Sequence, residues 1–149
     1  QLAIRSAQLQ VQSQLERVVA AGDAEHMRVV IDNLVSNAIK YSPRGGPLQI
    51  TLRQDKSDAI VQIQDHGPGV AENDRNNIFT AFYQGASPGR SHYKGTGLGL
   101  AIAREYAEAG GGSVSLLSSA EGARFEARFP LQRNAPAANR AVMEEAHAR

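Results

Sequence analysis

The chain contains no cysteine, which excludes a disulfide frame, a thiolate metal site and a thiol nucleophile, and agrees with a reducing compartment. Neither sign of charge dominates. Sixteen basic residues against fifteen acidic ones give a formal net charge of +1, so no global field points to nucleic acid or anionic lipid. No apolar run reaches the length of a membrane span, and no signal peptide opens the chain. What remains is ordinary for one globular domain: 149 residues, 42% hydrophobic and 21% charged, enough to bury a single core. The first residue is Gln1 rather than methionine, which reads as a fragment cut from something longer.

Residues 1–22 are Gln-rich, and Leu9, Val11, Leu15, Val18 and Val19 predict one or two edge strands. Asp23 is a good N-cap for a helix running to about Tyr41, with Met27, Val30, Ile31, Leu34 and Ala38 as its apolar stripe. The turn chemistry of Ser42-Pro43-Arg44-Gly45-Gly46-Pro47 ends it. Alternation at Leu48, Ile50 and Leu52, and again at Val61 and Ile63, predicts two strands around a loop at 54–58. A short helix is expected near 76–82, a long loop from Tyr83 to Lys94, and a helix from Leu98 to about Ala109 stopped by Gly110 to Gly112. Val114–Leu117 and Phe125–Phe129 read as a hairpin around 120–122. The fold class implied is α+β: a two-layer sandwich with a mixed, mostly antiparallel sheet packed on about three helices. The expected division is edge strands in 1–22, a core in 23–131 and a flexible Ala-rich tail in 132–149.

Three clusters carry chemistry. On the first helix, Asn33, Asn37 and Lys40 fall within about 60° of one another, with Tyr41 beside them. This polar row borders the apolar stripe, a placement suited to the rim of a cleft. An Asn amide oxygen can serve a hard cation without adding charge beside phosphates. A polar helix edge facing water is the plainer alternative.

Strand alternation puts Asp65 on the side of Val61 and Ile63, where a carboxylate is costly unless hydrogen bonds are donated to it. Gly67 and Gly69 permit tight turns and close approach of a flat ligand, and an adenine exocyclic amine is a fitting donor. A turn cap ending the strand is the alternative.

The string Gly95-Thr96-Gly97-Leu98-Gly99-Leu100 precedes a helix whose N-terminal N–H groups can face an anion. No Gly-Lys-Ser/Thr follows, so it is not a P-loop, and Leu100 stands where a dinucleotide fingerprint has its third glycine. Leu98, Ile102 and Tyr106 read as core residues, as do Phe79 and Phe82 at i, i+3. Arg90, His92 and Lys94 form a basic loop able to reach phosphates.

In this order, the asparagine helix, the Asp65-x-Gly67-x-Gly69 turn, the Phe79/Phe82 pair and the glycine string resemble the nucleotide-binding domain of the sensor histidine kinases. That domain belongs to the wider gyrase/chaperone/kinase/mismatch-repair ATPase superfamily, and the resemblance runs from about Asp23 to Leu131. It implies ATP and Mg²⁺ as cofactors. Asn37, assisted by Asn33, would hold a Mg²⁺ bridging the phosphates; Lys40 would neutralise phosphate charge and share the catalytic role with Asn37; Tyr41 would pack near the nucleotide. Asp65 with Gly67 and Gly69 would take the adenine. Phe82 would anchor the base of a lid, and Lys94, Gly95, Thr96, Gly97, Leu98, Gly99 and Leu100 would surround the phosphates.

Hydrolytic members of the superfamily carry a Glu at the place of Asn33, and an amide cannot act as a general base near neutral pH. Phosphoryl transfer is therefore expected over fast hydrolysis, with a hydrolytic ATPase or a nucleotide-binding scaffold as rivals. None of His26, His66, His92 and His147 sits in the helical context of a phosphate-accepting histidine. The resemblance thus implies as partners a separate histidine-bearing dimerisation domain of the same parent protein and a response regulator receiver domain. Neither nucleic acid nor membrane contact is expected of this chain. It implies a cytoplasmic domain of a parent anchored in the bacterial inner membrane. Ala109 departs from the family only at a position that often holds a His before the glycines, and this is not a ligand position.

Overall fold

The computed structural model describes residues 10–43, 46–84 and 96–131. Gly22 breaks the incoming chain, and the Asp23 carboxylate accepts from the N–H groups of Glu25 (2.8 Å) and His26 (3.4 Å), opening helix α1, Ala24–Tyr41. Val30, Leu34 and Ala38, four residues apart, are buried, with Met27 and Ile31 half-buried beside them. The helix stops at Ser42, whose N–H closes on Ala38 O at 2.9 Å, one residue before Pro43.

Five strands follow one sheet in the order β1-β2-β3-β5-β4: β1 Gln10–Leu15, β2 Pro47–Asp55, β3 Asp58–Gln64, β4 Ser113–Leu117 and β5 Arg124–Pro130. The β1–β2 pair is parallel and the other three are antiparallel, so the sheet is mixed and mostly antiparallel as expected. Val18 and Val19 form no strand; near them Ala20 makes an isolated bridge to Leu131.

Helix α2, Gly99–Ala109, buries Ala103 and Ala107. Such small side chains let it pack closely on α1, and the two helices cover one face of the sheet over Ala59, Val61, Ile63, Phe125 and Ala127. The opposite face carries polar side chains knitted across strands. Gln62 donates to Glu126 (2.6 Å), and Arg128 Nε donates to the same carboxylate (2.7 Å). Burial pushes the Glu126 carboxyl up, but the hydrogen bonds from Gln62 and Arg128 and the charges of Arg128 and Arg53 together hold it below the ordinary value.

Three sequence expectations need correction. Among the described residues there are two α-helices and one 3₁₀ turn rather than about three helices. The segment expected as a helix near 76–82 is a 3₁₀ turn at Glu72–Asp74 followed by further turns. Successive i→i+3 bonds, from Asn77 N–H to Asp74 O (2.9 Å) and from Thr80 N–H to Asn77 O (2.9 Å), keep it tight. It ends at Phe82, whose φ of 64° no α-helix accommodates. Lastly, the core face of α2 is its alanines. Tyr106 is 37% exposed and meets the His26 ring edge-on at 4.9 Å. Leu9, the loop from 85 to 94 and the tail 132–149 lie outside the described residues.

Candidate functional site

Between the helix pair and the sheet lies a cavity of about 300 Å³, at the lower end of the range for small-molecule sites. The polar edge of α1 forms one wall: Asn33, Asn37, Lys40 and Tyr41 all line it, as does Ser36 one residue earlier in the row. Their shared wall follows from helical spacing, with Val30, Leu34 and Ala38 anchoring the adjacent stripe in the core. Asn33 is oriented by its own helix, because its Nδ2 donates to Val29 O at 2.8 Å. Its Oδ1 lies on the side of Gly99, where a β-carbon would come within 3.2 Å of it.

Asp65 closes another side. It follows the last residue of β3, is 1% exposed and lines the cavity. Its Oδ1 accepts from the backbone N–H of Gly67 (2.9 Å) and of Ala123 (3.1 Å). These two bonds offset much of the cost of desolvating the carboxylate and fix its plane. Asp65 is the sole carboxylate among the described residues that line the cavity.

The start of α2 supplies the third wall through Thr96, Gly97, Leu98, Gly99 and Leu100. No side chain caps this helix, so its first N–H groups and the positive end of its dipole face the cavity side without a competing carboxylate. Gly97 packs against Phe82, whose N–H donates to Gly97 O at 2.9 Å. A β-carbon at Gly97 would stand 2.9 Å from the Phe82 Cα, and its φ is +71°, so glycine is required there.

The expected residues divide as follows. Asn33, Asn37, Lys40, Tyr41, Asp65, Gly69, Thr96, Gly97, Leu98, Gly99 and Leu100 converge on the cavity. Gly67 is not in its lining; it donates to Asp65 and lies against the Tyr41 carbonyl, where a β-carbon would collide. Phe82 is also absent from the lining and is 74% exposed, so the paired-core reading fails for it: positive φ at this residue turns the ring outward. Phe79 keeps that reading, half-buried with its ring edge-on to Phe125 (6.2 Å) and the Arg104 guanidinium 4.1 Å above it. Lys94, Gly95, Arg90 and His92 lie outside the described residues.

Ile102, expected in the core, lines the cavity instead, and Leu98, read both as core and as part of the phosphate surround, lines it too. Val70, Ile78, Ala123 and Phe125 line it as well and were not singled out from the sequence. Ala123 is the informative omission: its hydrogen bond to Asp65 spans 58 residues, and only the β3–β5 pairing brings them together.

The described residues contain no helix long and apolar enough to cross a membrane. His26 packs on Tyr106, and His66 lies between Pro47 O (Nδ1 at 3.1 Å) and Glu121 (Nε2 at 3.8 Å). His26 stands in the first turn of α1 beside Glu25, His66 lies in the loop after β3, and His92 and His147 are outside the described residues.

A cavity of mixed polar and apolar lining, with one recessed carboxylate, an amide-bearing helix and an uncapped helix start on a two-layer α+β scaffold, is suited to a nucleotide. Residues 22–133 match the family model described as histidine kinase-, DNA gyrase B-, and HSP90-like ATPase, and the chain belongs to that family. It is 36% identical over 125 residues to the sensor protein kinase PmrB of Pseudomonas aeruginosa, covering 84% of this chain and 26% of that protein. Its fold matches the mycobacterial sensor histidine kinase MprB with a TM-score of 0.79 and 27% identity, over 89% of this chain and 91% of that one. Full-length ShkA, solved in complex with AMPPNP, matches with a TM-score of 0.73 and 26% identity over 91% of this chain and 28% of that one. The chain is thus homologous to the catalytic domains of sensor histidine kinases and spans about a quarter of the length of the curated relative.

Proposed function

We propose that this chain binds ATP with Mg²⁺ in the cavity and transfers the γ-phosphate to a histidine on a separate acceptor domain of its parent protein. The purine is assigned to Asp65, whose buried carboxylate accepts from the exocyclic amine, and the phosphates to the start of α2 with Lys40. The side chains fit a magnesium ion that is shared with phosphate oxygens. Among the described residues no group of three or more His, Cys, Asp or Glu could hold a metal unaided, whereas Asn33 and Asn37 offer neutral amide oxygens, the donor type such an ion accepts. When bound, the ion supplies charge neutralisation on the phosphates.

The observation that carries transfer over hydrolysis is the composition of the lining. Its only described carboxylate is Asp65, tied to two backbone N–H groups, and Asn33 is an amide held by Val29 O. Neither can take a proton from water at the phosphate end. The attacking group must then bring its own nucleophilicity, as a neutral imidazole nitrogen does. In-line attack forms the N–P bond while the bond to the bridging oxygen of ADP breaks. The chain's share is to hold the triphosphate and neutralise its charge.

The supporting kinship is with sensor kinases whose other domains lie beyond the matched region. On this reading the receiver domain of a response regulator takes the phosphoryl group onward, and the parent is anchored in the bacterial inner membrane. The test uses γ-labelled ATP with the chain alone and with an acceptor-helix domain added. Label should stay off the lone chain and move to the acceptor domain. Steady phosphate release by the lone chain would point to a hydrolytic ATPase, and binding without transfer in every pairing to a scaffold.

A further inference from the structure

Gln64 and His66 flank Asp65, and neither lines the cavity; both reach the turn 118–123 between β4 and β5. Gln64 uses both ends of its amide. Its Oε1 accepts from Arg124 Nε (3.0 Å) and Nη2 (2.6 Å), while its Nε2 donates to Ser119 Oγ (3.2 Å) and Glu121 O (3.3 Å). Ser119 Oγ donates in turn to Glu121 O at 2.6 Å. One residue further on, Gly122 is packed against the Asp65 carbonyl, and Ala123 N–H reaches the Asp65 carboxylate at 3.1 Å. His66 adds a tie from the other side, through Pro47 O at 3.1 Å and Glu121 at 3.8 Å.

From this arrangement we propose that the turn 118–123 is a positioning element for base recognition, and that Gln64 is the residue that holds it in register. The proposal rests on the assignment of the purine to Asp65. A carboxylate that must accept from one exocyclic amine is sensitive to its plane, because hydrogen bonds weaken steeply with angle. One of the two N–H groups that set this plane comes from Gly67, two residues away, and is local. The other comes from Ala123 and is only as well placed as the turn that carries it. Gln64, the last residue of β3 and the neighbour of Asp65, clamps that turn to β3 and to β5. Its contribution is to specificity for the base and not to phosphate binding, since the phosphate wall is built by α1 and α2.

The test compares two ligands by calorimetry: ATP, and purine riboside triphosphate, which lacks the exocyclic amine. The wild-type chain should prefer ATP. In Gln64→Leu that preference should shrink by about three- to tenfold, the scale of one misaligned hydrogen bond to a charged group. Affinity for the analogue should stay within about twofold, because its phosphate contacts are untouched. Ser119→Ala removes a single contact of the same turn; it should shift the preference the same way by less, and it decides the matter if Gln64→Leu does not fold. Equal losses for both ligands would overturn the proposal, since they would make Gln64 a general structural residue. A preference that survives in both variants also overturns it while leaving the role of Asp65 intact. No preference in the wild-type chain would sink the purine assignment itself, and the positioning role with it.

Discussion

Asp65 and Ala123 are bound to each other twice: the Asp65 N–H donates to Ala123 O at 3.0 Å, and the Ala123 N–H donates to the Asp65 carboxylate at 3.1 Å. The first bond continues the β3–β5 ladder by one residue, and the second diverts the next donor into the side chain. The end of the β3–β5 ladder, inside the sheet, thereby becomes the seat of an oriented, buried anion facing a cavity.

Asp65→Asn keeps the shape of this seat and removes its charge. The amide oxygen can still accept from Gly67 and Ala123, but the remaining atom then becomes a donor that faces the donor of the base. ATP affinity should fall by about tenfold or more, the range for loss of a hydrogen bond to a charged group. The unfolding midpoint should stay near that of the wild type. Calorimetry that finds unchanged ATP affinity would remove Asp65 from the base site.

Gly122→Ala should be severe. The residue has φ +63°, and a β-carbon there would run into the Asp65 carbonyl oxygen and approach its Oδ1 within 2.7 Å. We expect a loss of about 1–3 kcal/mol or more in urea unfolding, together with weakened ATP binding. Gly110→Ala is the control. A β-carbon there meets nothing closer than Ala107 O at 3.6 Å, and φ is −89°, so stability should change by no more than about 0.5 kcal/mol. Equal effects at the two positions would mean that the Gly122–Asp65 contact is not what fixes the turn.

Much of this architecture was legible in the residues. Asp23 at the N-cap, the i, i+4 stripe through Val30, Leu34 and Ala38, and the alternation around Val61 and Ile63 are local patterns with local causes. They placed α1, the β2–β3 hairpin and the inward turn of Asp65 correctly. What was not legible depends on partners distant in sequence. The hold of Ala123 on Asp65 needs β5 to pair with β3, which no window of sequence displays. Leu98 and Ile102 look like core by composition, and only the alanine face of α2 packing on α1 turns them toward the cavity. Phe82 carries the same apolar signal as Phe79, but its backbone is committed to Gly97, so the ring is left outside. Periodicity assigns faces; it cannot say which face meets a cleft.

The polar face of the sheet gives the fold a predictable acid sensitivity. The folded-state pKa of Glu126 lies below its ordinary value of about 4.5, so the carboxylate form is favoured by the native state. Its contribution to stability is therefore complete above that value and is lost as pH falls through the folded-state pKa. Urea unfolding at pH 7 should find Glu126→Gln less stable than the wild type, because Arg128 loses its charged acceptor. The gap should close as the pH drops below about 4.5. A gap constant from pH 7 to pH 3 would show that Glu126 titrates alike in both states.

Asn37→Ala tests the metal at the phosphate end. On the proposed reading, in which Asn37 would hold the ion by its amide oxygen, wild-type ATP affinity and transfer to an added acceptor domain should both rise with Mg²⁺. Without that oxygen, ATP affinity should lose its Mg²⁺ dependence and transfer should fall by about a hundredfold or more, as when a metal ligand or its support is removed. The variant should fold normally, since Asn37 borders the buried stripe and is not part of it. Asn37→Asp separates charge from coordination: it restores an oxygen ligand but sets a negative charge near the phosphates. Partial recovery of Mg²⁺ dependence with weaker ATP binding would match a ligand role. Full transfer and normal Mg²⁺ dependence in Asn37→Ala would move the ion to other ligands, with Asn33 the first to examine, because its Oδ1 lies on the α2 side of the cavity.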